Sequence, residues 1–585
     1  MGNPEASAAV GAYRTLVPVG LRRRIARRVP LRLRMVLKQL LRRLHTLNLG
    51  ARMVRGARAR RRWPHLFGAG QRLAALSGHG SRIALVRPTV SPLGLREANL
   101  ELVVTALEEI GVDHFAVRGA CDFRSCIAVA EADRDQISRV LARVAERGPV
   151  YLRACRGESA QGRAVLAGSR AGRQLTRQAD VLRVGMVWSD PAGSLVLGLE
   201  YGCDIEFWRP EDGRLHAPRP NRVTEDVALD EPRVTVPISR LTGFSALHTR
   251  RTRSVRTIRP CADPLPEDVR FPVDVVYTWV DGSDPAWQRR RGAYGENGYH
   301  TESANAARYI SRDELRYSLR ALEQNAPWVR HVFLVTDRQR PSWLNDGHHR
   351  ITVVDHSEIF EDPAALPTFN SHAIESRLHH IKGLSEHFLY FNDDMFLGSP
   401  VTPQDFFLSN GMTRTFFSPS QVPRWDLTPV DRPVDAAGKN NRRLLQDHFG
   451  TAIVQKLRHA PYPLRRSVLA EIEREFAGEH RATSHSRFRS ASDISIPSSL
   501  YHYYAYFTGR AVPSDITFAY LDLAKPEIQR RLGILLARRD RQAFCINDTL
   551  SDGHDVERQT RMLSTFLRAY YPVPSPFERK EGEVR

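Results

Sequence analysis

Four short apolar runs in the second half of the chain each stop at an aspartate. They are "VDVVYTWVDG" (273–282), "HVFLVTD" (331–337), "ITVVD" (351–355) and "HFLYFNDD" (387–394). Their apolar residues do not alternate with polar ones, the pattern of strands buried on both faces. The segments between two pairs of them are helical. "SRDELRYSLRALEQNAPW" puts Leu315, Leu319 and Leu322 on one face, with Ser311 as its expected cap, and "NSHAIESRLHHIKGL" follows in the same style. Strand–helix–strand–strand–helix–strand order with buried strands predicts a mostly parallel sheet covered by helices. Open sheets of that kind bind ligands at the carboxyl ends of their strands. Asp281, Asp337, Asp355, Asp393 and Asp394 all fall there.

Adjacent carboxylates repel in a dry site, and a divalent cation removes that repulsion. Mg²⁺ takes one or two protein carboxylates together with phosphate oxygens of a substrate. Asp393 and Asp394 are therefore expected to hold a metal that clamps a diphosphate. Further along, "HAPYPLRRS" supplies His459, "SHSRFRSASDIS" supplies Arg487, Arg489 and Asp493, and "FCINDT" supplies Asn547 and Asp548. A single histidine or arginine is ordinary. The set provides a base, cations for phosphate and metal ligands.

These blocks carry a resemblance. "FPVDVVYTWVDGSDPAW", "RDELRYSLRALEQNAPWVRHVFLVTDRQRPSWL" with its continuation "LPTFNSHAIESRLHHIKGLSEHFLYFNDDMFLG", "HAPYPLRRS" and "FCINDT" resemble, in order, the four regions of the Stealth family. That family includes bacterial capsule and exopolysaccharide phosphotransferases and the catalytic chain of the animal N-acetylglucosamine-1-phosphotransferase. The resemblance implies a Rossmann-like or GT-A-like catalytic sheet. It implies transfer of sugar 1-phosphate from a nucleotide-diphospho-sugar, UDP-linked, to a hydroxyl of an acceptor glycan, with Mg²⁺ or Mn²⁺ as cofactor and a nucleoside monophosphate released. Carried over by motif, Asp394, His459 and Arg489 are the expected catalytic residues. Asp281, Gly282, Asp337, Asn370, Glu375 and Asn392 are expected to bind substrate. Asp393, Asp394, Asn547 and Asp548 are expected to hold the metal. A glycosyltransferase attacking the anomeric carbon and releasing nucleoside diphosphate is the competing reading.

At roughly 100–200 residues per domain, 585 residues accommodate three or four units. The net charge is +21, but residues 1–80 hold 18 Lys or Arg and one acid, so +17 belongs to that segment and the rest is nearly balanced. Within it, 12–62 interleaves arginine with Leu, Ile, Val and Met at near-helical spacing, which suits an anionic membrane surface. Aromatics that would stack on bases are few there, so nucleic acid is not expected. Six cysteines without a C-x-x-C pair predict reduced thiols. The absence of an 18-residue apolar run and of a secretory signal predicts a cytoplasmic, peripheral enzyme. The expected organisation is a basic amphipathic segment (1–80), a smaller α+β domain (81–235), a linker (236–270) and the α/β catalytic domain (271–575). In the second of these, Asp204 and Glu206 are expected on a solvated strand face.

Overall fold

The computed structural model describes residue 57 and residues 59–68, 70–76, 80–246, 254–294, 311–428, 430–548 and 553–579. The basic stretch at 12–62 lies outside the described residues apart from residue 57 and residues 59–62. Among the described residues no helix is long and apolar enough to cross a membrane.

The central sheet of the second half is built from the four apolar runs that end in aspartate. They form β1 (Val273–Thr278), β2 (Val332–Thr336), β3 (Ile351–Asp355) and β4 (His387–Asn392). Their spatial order is β3-β2-β1-β4, every pair parallel. An antiparallel strand, Tyr462–Arg465, closes the far edge beside β4. Phe388, Leu389, Tyr390 and Phe391 are fully buried. Each such side chain contributes about 1.5–3 kcal/mol relative to exposure, which fixes the strand without any help from β-alternation. β3 lies at the other edge and is less fully covered: Thr352 is exposed and Val353 half-buried, while Ile351 and Val354 are buried. The register aligns Thr278 with Asn392 and Thr336 with Asp355, so the acid-bearing ends share one rim.

Helix α1 (Glu314–Asn325) packs Leu315, Leu319 and Leu322 into the core as the spacing predicts. Its start differs from expectation. Asp313, in a left-handed conformation (φ 65°), is the cap residue instead of Ser311, and it makes no side-chain capping bond. The Glu314 carboxylate instead accepts from the Arg312 amide at 2.5 Å. A second, smaller sheet joins Met395–Leu397, β5 (Phe518–Asp522) and β6 (Ala543–Asn547). It delivers Asn547 and Asp548 to the same rim.

The N-terminal unit departs from its expected boundaries. The cut at residue 80 falls inside a hairpin in which Gln71–Leu76 pairs with Gly80–Val86. The expected linker at 236–270 is also part of this unit: Ser254–Ile258 pairs with Arg233–Pro237 on one side and His114–Ala116 on the other, and Arg118 forms an ion pair with Asp268. Its Arg and Thr content hid a strand whose exposed positions are polar. Asp204 and Glu206 are buried, not solvated, because Arg183 and Arg219 are buried against them (Arg183–Asp204 2.7 Å, Arg219–Glu206 2.7 Å). Ser91 caps the helix Pro92–Glu108, accepting from the Gly94 amide at 3.1 Å.

Candidate active site

A cleft of about 1080 Å³ opens along the carboxyl rim between β1, β4 and the smaller sheet. Asp337, Glu375, Asn392, Asp393, Asp394, His459, Arg489, Asn547 and Asp548 all line it. Nine of the residues singled out from sequence, spread over more than 200 positions, thus converge on one cavity.

Its centre is a group of carboxylates. Burial, then the neighbouring Glu314 and Asp394, push the Asp393 carboxyl well above the usual carboxylate range. Burial pushes Glu314 up to about 7, against the pull of backbone hydrogen bonds and Arg312. Asp394 sits between two side chains from other elements. His459 Nε2 lies 3.3 Å from its Oδ1, and the Cys545 thiol donates to its Oδ2 at 3.2 Å. Burial works against charge on His459, but the Asp394 carboxylate outweighs it and the imidazole pKa is raised. The other ring nitrogen, Nδ1, is 3.0 Å from the Tyr462 hydroxyl, which orients the ring.

Two flanks complete the cleft. Arg312 bridges from the start of α1 to Asp548 (2.7 Å). On the opposite flank Arg489 donates to Ser371 Oγ at 2.7 Å. Glu375 accepts from Tyr390 at 3.1 Å through Oε1, and its buried Oε2 has no hydrogen-bond partner. Asp337 is held by Arg290 (2.9 Å).

Three expected residues are placed differently. Asp281 faces a neighbouring cavity of about 560 Å³, separated from the main cleft by Trp279, which lines both. Its carboxylate is taken up locally, accepting from the Ser283 amide (2.9 Å) and hydroxyl (2.6 Å) in an Asx turn. Gly282 lies in that same turn, its carbonyl accepting from Gln288, and lines neither cavity. Asn370 is fully buried as the cap of the helix Ser371–Ser376 and donates to Asp493 at 2.8 Å, so it holds the wall instead of facing the cleft. Asp355, the fourth strand-end acid, caps a short 3-10 turn in the second cavity.

Sequence reasoning missed Glu314, Arg312 and Cys545. Glu314 reads as an ordinary charged residue in a first helical turn. Only the convergence of α1 with the ends of β4 and β6 gives it a role. The signal available was its place two residues after an arginine in "SRDEL", immediately before the apolar helical stripe.

The donor set suits a hard divalent cation. Asn392 Oδ1 and Glu375 Oε2 are buried without hydrogen-bond partners, and Asp394 Oδ1 has only the 3.3 Å contact to His459, beside carboxyls that burial and mutual repulsion already disfavour as anions. A cation would satisfy those oxygens and relieve the repulsion. Asp394, His459 and Cys545 also offer one donor atom each within 4.8 Å of one another. Burial and the Asp394 charge keep the Cys545 thiol protonated, so it acts as a donor to Asp394 and not as a thiolate ligand.

The geometry defines a class: an α/β protein with a clustered carboxylate, imidazole and guanidinium site at the carboxyl rim of a parallel sheet. Comparison with known sequences then gives the family. Models of the four Stealth conserved regions match residues 271–299, 308–415, 458–506 and 534–585. The chain is 82% identical to an exopolysaccharide phosphotransferase of Streptomyces coelicolor, covering 100% of both chains. It is 37% identical to an exopolysaccharide phosphotransferase of Nocardia farcinica, covering 83% of this chain and 96% of that one. The chain belongs to the Stealth family. Among solved structures, a galactosyltransferase, LgtC, crystallised with donor and acceptor sugar analogs, overlaps 50% of this chain and 96% of its own at 10% identity and a TM-score of 0.27.

Proposed function

We propose that this chain is a sugar-1-phosphate transferase: it moves sugar 1-phosphate from a nucleotide-diphospho-sugar, UDP-linked, to a hydroxyl of an acceptor glycan. The product is a phosphodiester within an exopolysaccharide, and a nucleoside monophosphate leaves. The observation that carries this reading is the convergence of Asp393, Asp394, Glu314, His459, Arg489 and the Arg312–Asp548 pair on one cleft. The names borne by close relatives support it.

Phosphoryl transfer asks the protein for in-line positioning, charge neutralisation and a proton acceptor. The Asp394–His459 pair supplies the acceptor. A glycan hydroxyl entering beside it gives up its proton to the pair as its oxygen bonds to the sugar-bearing phosphorus. The bridging bond on the other side of that phosphorus breaks, and the electron pair leaves on the nucleoside monophosphate. Arg489 presents a planar fork of donors to phosphate oxygens from the cleft wall. Arg312 fixes Asp548, and Asp393, Asp394, Asn547 and Asp548 are the residues that would hold Mg²⁺ or Mn²⁺. A bound cation would supply electrophilic neutralisation of the diphosphate. A membrane-facing role for the basic N-terminal segment belongs to the same proposal and rests on its sequence alone.

Incubation of the purified protein with a panel of nucleotide sugars, an acceptor glycan and Mg²⁺ or Mn²⁺, followed by identification of the released nucleotide, tests the reading. Nucleoside monophosphate together with a phosphodiester-linked product is expected, with no turnover in excess chelator. Release of nucleoside diphosphate would establish attack at the anomeric carbon and replace this reading.

A further inference from the structure

The cleft has a mouth remote from the carboxylates, and its construction bears on the acceptor. A two-stranded ribbon, Phe417–Gln421 paired with Gln455–Leu457, forms one wall and runs directly into His459. Phe417 opposes Leu457 near that histidine, and Gln421 opposes Gln455 at the far end. The chain then continues from Val422, which lines the cleft, into a loop that returns to it at Arg432 and Val434.

That loop holds an exposed aromatic ring in a fixed position. Trp425 is 63% exposed. The Lys439 ammonium, itself buried, stands 5.2 Å over the ring and pairs with Asp431 at 2.7 Å. Asp431 in turn takes a hydrogen bond from the indole, and Lys439 also donates to the Asp426 carbonyl at 2.8 Å. A buried ammonium–carboxylate pair thus serves to immobilise a side chain whose large apolar surface stays in water. Exposed aromatic surface held rigid is the usual construction of a binding platform, because little side-chain entropy is lost on contact. Val434, 42% exposed, adds apolar surface to the cleft where the loop returns to it.

The ribbon also sets a length. It is bulged, the five residues Phe417–Gln421 standing opposite the three of Gln455–Leu457, so its paired ends are two strand steps, about 7 Å, apart. Trp425 lies beyond that end and outside the lining of the cleft, so contact with both it and the His459 end takes more than one pyranose ring. Hydroxyls line the intervening wall, Ser418 and Ser420 from the ribbon and Ser498 and Ser499 from a π-helical turn, Ile496–Leu500. π-turns recur at functional sites.

We infer that the mouth is a distal acceptor subsite: Trp425 stacks on a sugar ring of an extended glycan whose reacting hydroxyl lies several residues away beside Asp394 and His459. The acceptor is therefore an oligosaccharide or polymer end and not a single sugar. This inference rests on the sugar-1-phosphate transferase reading above.

The test compares full-length wild type with Trp425→Ala and Trp425→Phe on acceptors of one, two, four and six sugar units. Donor turnover to water without acceptor is measured alongside as the readout of the catalytic centre. For Trp425→Ala, the acceptor KM is expected to rise about tenfold with the longest acceptors and to stay unchanged with the monosaccharide. Water turnover and donor KM should also stay unchanged, and Trp425→Phe should recover most of the loss. A length-independent effect, or none, overturns the subsite. Loss of binding to anionic phosphatidylglycerol vesicles with unchanged KM for soluble acceptors would reassign Trp425 to a membrane contact and likewise overturn it. Failure of the parent reading shows separately, as wild type that releases no nucleoside monophosphate with any acceptor.

Discussion

Two clusters in this chain use the same residue types and do different things. Around Glu473, His379 and His380 place Nε2 atoms 2.5 and 2.9 Å from one carboxylate oxygen, and Arg377 pairs with the other. Around Asp394, His459 stands 3.3 Å from one oxygen and Cys545 3.2 Å from the other. Each gathers three donor atoms close enough to hold an ion. In the first, the carboxylate is saturated by short hydrogen bonds and a guanidinium, which leaves no space between ligand atoms. In the second, Asp394 Oδ1 has only the longer 3.3 Å contact to His459, the neighbouring Asn392 Oδ1 makes no hydrogen bond, further carboxyls press in from Asp393 and Glu314, and the cavity is open to a substrate. Composition does not separate a structural knot from a reactive centre; the degree of satisfaction does.

The largest expected effect follows from that contrast. Asp394→Asn keeps the shape but removes the charge that supports His459 and that the proposed reaction uses to take the proton. Turnover should fall on the order of 10³-fold, within the range of general-base removal, while the thermal midpoint stays within a degree or two of wild type. A kcat measurement paired with thermal unfolding checks it. Near-normal turnover would show that Asp394 is no more a reacting group than Glu473 is.

The same contrast explains what could be read from sequence. β1, β2 and β4 were legible because burial on both faces leaves a continuous apolar run, and "FNDD" showed where the β4 run stops. His459 and Asp548 were legible only through the family's motifs, since nothing local distinguishes them. Asp281 stands apart from the main cleft, and "DGSD" already contained the Asx-turn signal that ties up its carboxylate. Glu314 and Cys545 were not legible: their neighbours come from β4, 80 and 151 residues away in sequence from Asp394, and burial supplies the rest. The strand at Ser254–Ile258 was lost for another reason. Its outward positions are Ser254 and Arg256, and that polarity resembles a linker until its partners are known.

A smaller effect, in a different observable, is expected at the other cluster. Glu473→Gln keeps hydrogen bonds to the imidazoles but leaves Arg377, which is buried, facing a neutral amide. Stability should drop by about 1–3 kcal/mol, the range for an impaired buried polar partner, with kcat per folded molecule unchanged. Denaturant titration and active-site counting together separate the two. If kcat falls with stability intact, the cluster communicates with the cleft and the distinction between the two sites fails.

The smallest and most specific effect is the first cluster's share of the acid dependence, which other buried histidines such as His502, also lowered by burial, add to. Burial lowers the His480 pKa to about 4, from the ordinary histidine value of 6.5. Its Nε2 lies 3.0 Å from the Ser376 carbonyl, which can only accept, so Nε2 carries the proton of the neutral ring. Facing Nδ1 are the Glu473 carboxylate at 3.7 Å and the His379 ring, with the Arg377 guanidinium adding to the local positive charge. Because the folded pKa is depressed, the unfolded chain binds the extra proton first as pH falls. Stability is therefore complete above about 6.5 and declines towards pH 4. Glu473, whose pKa is also depressed despite its burial because His379 and His380 donate to it, acts in the same direction at lower pH. His480→Gln, which retains a donor for Ser376 but cannot titrate, should flatten the unfolding free energy between pH 6.5 and 4 relative to wild type. Its unfolding curves at pH 7 should differ only through the packing change. A slope identical to wild type would place the acid-sensitive group elsewhere. A pH–activity profile altered by His480→Gln at temperatures where both proteins are folded would show that the saturated cluster feeds the reactive one.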